Sequence, residues 1–576
     1  MENVEYSRML SETADLMEIA AGDPFRIRSY RNAATAIEGY PDRIEDILKD
    51  PNRAVTDIAG IGKGLAAVLK EIHERGSFER RDQLLEKYPP TALEMLKIQG
   101  LGPKTIALII EHFRVNTLDG LEKLCREQKL QTLPRVGAKL EEKVLRGIAS
   151  YRQSAGRFLL NFAAETAKEF ERYLSEAPGV ETVTHAGSLR RGRETVGDLD
   201  LLVVTEDPGP VLERFVKHTK VAEVLGRGEN KASARVGVEG FQVDVRALPR
   251  ESYGAALQYF TGSKSHNVAV RTRAVKMGYS LSEYGLFRME NEERVAGQSE
   301  EEIYERLGLQ SIAPELRENQ GEIEAAAEGR LPSLVELKDI RSDLHMHTRE
   351  SDGRATLEEM AAAARQLGYE YIAITDHSKA LAMANGLDEQ RAIAFARQVR
   401  ELKNQDLGIR VLSGIECDIR KDGSMDLAGD ALAELDLVIG SVHSYMNIEA
   451  GEMTDRLMKA MENPHLQILG HPTGRVLLHR DSYAYDFERI AAEAARRGVA
   501  MEINASPERL DLHASLLRAA KARGVRFTIS TDAHHPKHLH NMRYGVMMAR
   551  RGWLESKDVL NTLGLKDFAG ALRKAA

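Results

Sequence analysis

Residues 343–353 read DLHMHTRESDG. His345 and His347 are separated by one residue, and alternate residues of a strand project to the same side. The stretch therefore predicts two imidazoles delivered to one point, with Asp352 joining them from the following loop. Short apolar runs recur near 342–346, 371–375, 410–415, 437–442, 467–470, 499–503 and 525–530. Helical stretches such as LEEMAAAARQLG and FERIAAEAARRG separate several of them. This alternation predicts parallel strands in a barrel or wound sheet.

Ligand-type residues stand at or just beyond the ends of these runs. His345, His347 and Asp352 belong to the first, Asp376 and His377 to the second, Glu416 to the third and His443 to the fourth. His471 follows the fifth, and Asp532 and His534 follow the last. Catalytic groups of β/α barrels collect at that end of the strands. One buried histidine is ordinary core; so many at equivalent positions predict a metal centre. Asp376 is expected to orient its neighbours rather than bind, and His535, His538 and His540 to lie at the surface or behind the ligands. The other nine exceed what one ion needs, so two or three ions are expected. Mixed imidazole and carboxylate donors suit Zn²⁺, Mn²⁺ or Fe²⁺, and clustered ions suit hydrolysis of a phosphate ester. Twelve of the 17 histidines lie after residue 330, which marks this region as a separate unit.

A chain of 576 residues is too long for one core; at roughly 100–200 residues per domain, three to five units are expected. The net charge of −8 gives no global basic footprint for nucleic acid, so any such partner must be held by local devices. No apolar run approaches the roughly 20 residues that span a bilayer, and MENVEYSRML has no apolar signal core. Two cysteines, Cys125 and Cys417, make no disulfide framework and favour a reducing cytoplasm.

The first 150 residues read as helices with apolar residues at three- and four-residue spacing. Three stretches there share one pattern: IAGIGKGLAAVL (58–69), IQGLGPKTIALI (98–109) and LPRVGAKLEEKV (133–144). An apolar-x-Gly-apolar-Gly elbow precedes a helix, and this resembles the helix-hairpin-helix element. The glycines allow a tight turn, and free N–H groups at the helix start suit a phosphate. DNA-backbone contact is expected from Gly60, Gly62 and Lys63, from Gly100, Gly102 and Lys104, and from Gly137. Arg135 replaces the first glycine of the third copy.

From 155 to 250 a helix precedes β-branched runs, an α+β pattern. GSLRRGRETVGDLD (187–200) places Gly187 and Ser188 at a strand-to-helix turn, with Arg190 and Arg191 next. Asp198 and Asp200 stand two apart on the following strand, and Asp244 sits in the strand FQVDVRAL. Three carboxylates from adjacent strands suit two Mg²⁺ or Mn²⁺ ions.

The Gly-Ser turn with downstream acids resembles the nucleotidyltransferase superfamily. Together with YFTGSKSHNVAVRTRA (259–274), EEEIYERLGLQSIAPELRE and the elbows, it resembles a family X DNA polymerase over residues 1–318. The set HMH, TDHS, GIE, VHS, GHP and TDAH resembles the polymerase-and-histidinol-phosphatase (PHP) domain over 341–576. These resemblances imply a multidomain fold: an α-helical helix-hairpin-helix region, an α+β palm and thumb, and a C-terminal (β/α)7 barrel. The expected boundaries are 1–84 for an N-terminal helical domain, 85–153 for fingers, 154–250 for palm, 251–318 for thumb, 319–340 for a linker and 341–576 for PHP.

They also imply roles. Gly187, Ser188, Arg191 and Gly197 would bind the triphosphate, and Asp198, Asp200 and Asp244 the catalytic ions. Tyr259, Phe260, Gly262 and Asn267 would line the sugar and base pocket, with Arg271 toward the template. Asn267 could equally be a helix cap. The implied partners are gapped or nicked DNA and dNTPs, bound by a monomer that fills gaps in base-excision repair. The PHP half would act as a 3'-5' exonuclease or abasic-site endonuclease. Two departures stand out: Val68 occupies the position of the family's lyase lysine, with Lys63 and Lys70 nearby, and Lys264 stands where an acid is expected. Two other readings remain at this stage, a purely structural PHP domain and a template-independent nucleotidyltransferase.

Overall fold

The computed structural model describes residues 1, 3–38, 44–58, 60–98, 101–115, 117–134, 136–154, 156–402 and 407–572. It contains two compact units, one built on residues 1–155 and one on residues 156–477 and 481–576. Among the described residues no helix is long and apolar enough to cross a membrane.

The first unit is helical. Its opening helix, Asn3–Ile19, buries Tyr6, Leu10, Ala14 and Met17 at the spacing of one helical face. Two elbow helices start directly after a glycine, Lys63–Arg75 after Gly62 and Pro103–Phe113 after Gly102. A third, Ala138–Ser154, follows Gly137. Gly60 has φ +88°, where a side chain would be strained.

In the second unit five strands form the palm sheet: β1 (Val180–His185), β2 (Asp198–Thr205), β3 (Val221–Arg227), β4 (Lys231–Val236) and β5 (Phe241–Leu248). Their order is β1-β2-β5-β4-β3, with β2 and β5 parallel. Leu199, Leu201 and Val203 face a core shared with helices Leu160–Ser175 and Pro208–Val216. The intervening residues must face the other side, where Leu202 meets Ala186, Ala256 and Leu257. A three-stranded antiparallel sheet follows, β6 (Tyr279–Ser282), β7 (Gly285–Arg288) and β8 (Arg294–Ala296), with helices Tyr253–Thr261, Lys264–Lys276 and Glu300–Arg306. Residues 319–340, expected as a linker, are packed instead. Glu322 is fully buried, and Ile323 and Ala326 join the thumb core. Their polar composition hid that role, because buried Glu322 finds a distant hydrogen-bond partner, His266.

The barrel has the seven parallel strands expected, β9 (Ser342–Asp343), β10 (Tyr371–Ile374), β11 (Arg410–Asp418), β12 (Leu437–Ser441), β13 (Ile468–Leu469), β14 (Ala500–Asn504) and β15 (Phe527–Ser530), paired in sequence order. One end of its interior is filled by Leu344, Tyr371, Leu412, Leu437, Ile468, Leu560 and Phe568. A parallel bridge between Met346 and Ala533 brings first and last strands together. Asn561, fully buried, stitches the same seam. Its side chain donates to the carbonyls of Ser342 (3.0 Å) and Ile529 (2.5 Å) and accepts from the Ile529 N–H (2.8 Å).

Palm and barrel share one connected apolar cluster. Around it the polymerase half supplies acids and the barrel supplies bases. Glu165 meets Arg543 at 2.8 Å, Glu315 meets Arg550 at 2.7 Å and Glu318 meets Arg551 at 3.2 Å. Glu194, buried, lies 3.2 Å from His513 and 3.8 Å from Arg475.

Replacing Asn561 by Ala orphans three buried backbone groups at the seam. At about 1–3 kcal/mol for each unsatisfied group, the urea midpoint of the barrel should fall clearly. The fluorescence of Trp553, the single tryptophan of the chain, reports it; an unchanged midpoint would mean the seam does not depend on this side chain.

Candidate active sites

The palm brings its three acids together. Asp200 and Asp244 are register partners on β2 and β5, and Asp198 precedes Asp200 by two on the same face. Crowding has an electrostatic signature. Burial, reinforced by the charges of Asp198 and Asp244, pushes Asp200 up to about 6. Asp244 goes the other way: burial alone would raise it, but hydrogen bonds from Lys231, Ser233 and Gln242 hold it below the usual carboxylate range. Lys231 Nζ donates to Asp244 Oδ2 at 2.8 Å. Three carboxylates that repel one another and recruit a lysine are a donor set suited to divalent cations.

Gly187 begins the short turn Gly187–Arg190 at φ +62°, and a Cβ there would stand 2.8 Å from Asp200 Oδ2. A glycine is thus required where the turn meets the acids. Arg190 donates to Thr261 Oγ1 (2.8 Å) and to Glu300 (2.7 and 2.9 Å). Arg191 donates Nε to Glu318 (3.0 Å) and Nη1 to the Thr261 carbonyl (2.8 Å). Gly197 immediately precedes Asp198. Tyr259 and Phe260 pack edge to face at 5.0 Å, Arg246 lies 4.4 Å over the Phe260 ring and Arg271 6.0 Å over Tyr259. Asn267 caps: its Nδ2 donates to the carbonyls of Tyr259 (2.6 Å) and Gly262 (3.2 Å) at the end of helix Tyr253–Thr261. Lys264 opens the next helix and is exposed.

In the barrel all nine expected ligands converge. Glu416 is 1 % exposed and lies at the centre. Its Oε2 is 2.7 Å from His377 Nδ1, 3.4 Å from His345 Nε2 and 3.7 Å from His347 Nε2. Its Oε1 is 2.9 Å from His471 Nε2 and 3.2 Å from His443 Nε2. Asp532 Oδ1 lies 3.1 Å from His347 Nε2, and Asp352 Oδ1 3.3 Å from His534 Nε2. Three groups have donor atoms mutually close enough for one ion: His347, Asp352, His377 and His534; His345, His347 and Asp532; and His377, Glu416 and His443. His345 Nε2 and His347 Nδ1 are buried and have no hydrogen-bond partner, and the 2.7 Å contact of His377 Nδ1 with Glu416 Oε2 lacks hydrogen-bond geometry. Buried donors normally find partners, so atoms aimed at shared space fit cations. His471 (φ +24°) and Asp532 (φ +53°) adopt the left-handed backbone region, strain of the kind that collects at functional sites.

A second layer fixes these rings. Glu502, fully buried, accepts from His345 Nδ1 (2.7 Å) and from the His471 N–H (2.6 Å). Asp418 Oδ1 is 3.1 Å from His443 Nδ1. Asp376 accepts from Thr348 N–H (2.8 Å), Thr348 Oγ1 (2.6 Å) and Ser351 Oγ (2.5 Å), holding the loop that carries Asp352. Arg509 Nε lies 3.6 Å from Asp532 Oδ2, and its Nη1 is buried without a partner. His538 Nδ1 accepts weakly from the His534 N–H at 3.4 Å. The sequence reading passed over Lys231, Arg246, Glu502, Asp418 and Arg509. Two left a trace: Glu502 interrupts the apolar strand VAMEINA, and Asp418 stands two residues from Glu416 on one strand.

The elbows carry Lys63 and Lys104 exposed, and a Cβ at Gly62, Gly102 or Gly137 would meet nothing within 4 Å. Their outer surface is open to a close approach. Gly100 and Arg135 lie outside the described residues. Val68 packs against the helical core, and Lys70 pairs with Glu74 at 3.8 Å.

Fold and sites together define a nucleotidyltransferase-like palm joined to a seven-stranded barrel that carries candidate metal-binding clusters. Family models match as a helix-hairpin-helix domain (1–78), a SAM-like helix-hairpin-helix tandem (92–150), a DNA polymerase beta thumb (256–318) and a PHP domain (343–506). The DNA polymerase/3'-5' exonuclease PolX of Bacillus subtilis (strain 168) is 37% identical over 575 residues, covering 100% of both chains. The chain belongs to the family X DNA polymerases that carry a PHP domain. A protein of Shewanella sp. (strain ANA-3) named "Probable phosphatase" is 30% identical over 202 residues, 33% of this chain and 75% of that one. The ternary P/T complex of Leishmania infantum polymerase beta overlays with a TM-score of 0.27 at 21% identity, covering 40% of this chain and 99% of that one.

Burial opposes the charged form of His443 and His534, yet Glu416 and Asp352, foremost among their acidic neighbours, bring both to about 9. Raised values mean these imidazolium pairs stabilise the cation-free barrel fully below the ordinary histidine value, and that contribution is lost as pH rises through about 9. A cation must displace those protons. Mn²⁺ affinity, measured by titration calorimetry, should rise from pH 6.5 toward 9 with proton release; flat affinity over that window would contradict the arrangement.

Proposed function

We propose that the chain is a template-directed DNA polymerase that fills short gaps, joined to a metal-dependent 3'-5' exonuclease. The observation that carries the polymerase reading is the register pairing of Asp200 with Asp244, with Asp198 on the same face beside the glycine turn. Asp198, Asp200 and Asp244 hold two Mg²⁺ or Mn²⁺ ions. When bound, such ions favour ionisation of a primer 3'-hydroxyl and neutralise the leaving pyrophosphate. Gly187, Ser188, Arg191 and Gly197 receive the triphosphate. Tyr259, Phe260 and Gly262 line the sugar side, with Arg246 stiffening Phe260 by stacking. Asn267 holds the helix end that presents them, and Arg271 faces the template. Gly60, Gly62, Lys63, Gly100, Gly102, Lys104 and Gly137 contact DNA phosphates, a mode that needs no base reading and little net charge.

In the barrel, His345, His347, Asp352, His377, Glu416, His443, His471, Asp532 and His534 hold two or three ions of the Zn²⁺, Mn²⁺ or Fe²⁺ class. Such ions supply Lewis acidity toward a phosphodiester and an activated water. Glu502 and Asp418 keep the rings aimed inward. Arg509, beside Asp532 and with Nη1 unpartnered, is placed to donate to a phosphate oxygen. The complete ligand set supports hydrolysis rather than a structural role. The protein works as a monomer in the cytoplasm; its two thiols, Cys125 and Cys417, are buried and unpaired. A valine at position 68 forms no Schiff base, and Lys63 and Lys70 are the amines nearest to it in the sequence.

A 5'-labelled gapped duplex incubated with Mn²⁺, with and without dNTPs, reads both reactions at once. Asp200→Asn should abolish extension, by at least about a thousandfold as for lost metal ligands and catalytic groups, and leave degradation intact. Asp532→Ala should do the reverse. Degradation that survives Asp532→Ala, or extension that ignores the template, sinks the corresponding half. Arg509→Ala should slow degradation about 100-fold, the scale of one lost charge-stabilising donor, and the loss should persist at saturating Mn²⁺.

A further inference from the structure

The triphosphate turn of the palm is held from the barrel side. The barrel helix Met542–Arg551 ends against it. Arg551 is 5 % exposed, and its Nη1 donates to the Arg191 carbonyl at 2.9 Å and to Glu318 Oε1 at 3.2 Å. That same Glu318 oxygen accepts from Arg191 Nε at 3.0 Å and lies 3.7 Å from Arg193 Nη1. Gly192 follows at φ +66°, and a Cβ there would stand 3.2 Å from Met547 Cε and 3.3 Å from its Cβ. The barrel helix therefore touches both the backbone of the turn and the carboxylate that holds its arginine.

The electrostatics give this contact a direction. Arg191 spends Nε on Glu318 and Nη1 on the Thr261 carbonyl, leaving Nη2 without a hydrogen-bond partner among the described residues. A triphosphate must compete with Glu318 for that guanidinium. Besides the more distant Arg193, Arg551 supplies Glu318 with a second hydrogen-bonding cation in a mostly buried setting, where charge pairs are strong. It thereby weakens the hold of Glu318 on Arg191 and anchors the Arg191 backbone.

We propose that Arg551 is a positioning residue for nucleotide incorporation: a barrel side chain that sets Arg191 of the palm, so that the polymerase site is completed by the PHP domain. This rests on the reading of Arg191 as a triphosphate ligand. It adds that the barrel serves the polymerase through a defined contact, separately from its own chemistry.

The test uses the full chain on a one-nucleotide gap, with degradation of a 3' single-stranded end as the second readout. Arg551→Ala should raise KM for dNTP about tenfold, as for one lost charge-assisted bond, with kcat within about twofold because the acids are untouched. Degradation should be unchanged. Arg551→Lys, which keeps the charge and one donor, should recover part of the loss. An unchanged KM overturns the proposal; so does a parallel fall of both activities with a lowered Tm, which would mark Arg551 as structural only. Arg191→Ala separates the two readings. If it raises KM while Arg551→Ala does not, the coupling alone fails. If Arg191→Ala leaves KM unchanged, the triphosphate reading fails and takes the proposal with it.

Discussion

A carboxylate without access to water stands at the centre of the barrel. Glu416 is reached by five imidazoles, those of His345, His347, His377, His443 and His471. An isolated buried charge is among the most costly things a protein can contain, so the surrounding ring of donors is obligatory. The demand propagates outward. Those imidazoles hold Glu416 well below the usual carboxylate range against the effect of burial, and Glu416 and Glu502 in turn hold His345 well above the histidine range. Burial beside protonatable neighbours drives His347 down to about 3. The seven strands, the seam closed through Asn561 and the strained His471 and Asp532 all serve to keep these groups at fixed separation.

The palm solves a smaller version of the same problem. Three carboxylates share one face of a sheet, and burial with mutual repulsion lifts Asp200 to about 6. Lys231 offsets part of that repulsion at Asp244. Two centres that both gather negative charge for cations sit in one compact unit, joined by an interface with acids on the palm side and arginines on the barrel side. The apolar cluster common to both halves gives that interface its rigidity. Ion pairs in a partly dry interface contribute orientation more dependably than stability, which is the role assigned to Arg551.

Much of this was legible from residue order. The nine candidate ligands fall at strand ends, and β/α alternation sends every strand end to the same rim, so local pattern was enough to expect their convergence. The acids of the palm were legible for a similar reason, since period-two projection puts Asp198 and Asp200 on one face. Other features left weak traces or none. Residues 319–340 look like a linker because they are polar, yet Glu322 is buried against His266 56 residues away. Asn267 was open in the sequence between pocket lining and helix cap, and its bonds to the carbonyls of Tyr259 and Gly262 bear out the cap. Glu502 and Asp418 act only through rings supplied by other strands.

The sequence by itself determined which chemistry each half can hold, because ligand identity and strand or helix period are local properties. It also determined the order of the parts along the chain. Only the tertiary structure decided which groups share a charge. The seam at Asn561, the carboxylate common to Arg191 and Arg551, and the ring of imidazoles on Glu416 join residues that lie tens to hundreds of positions apart. Coulomb and hydrogen-bond energies depend on separation in space, which no spacing along the chain encodes.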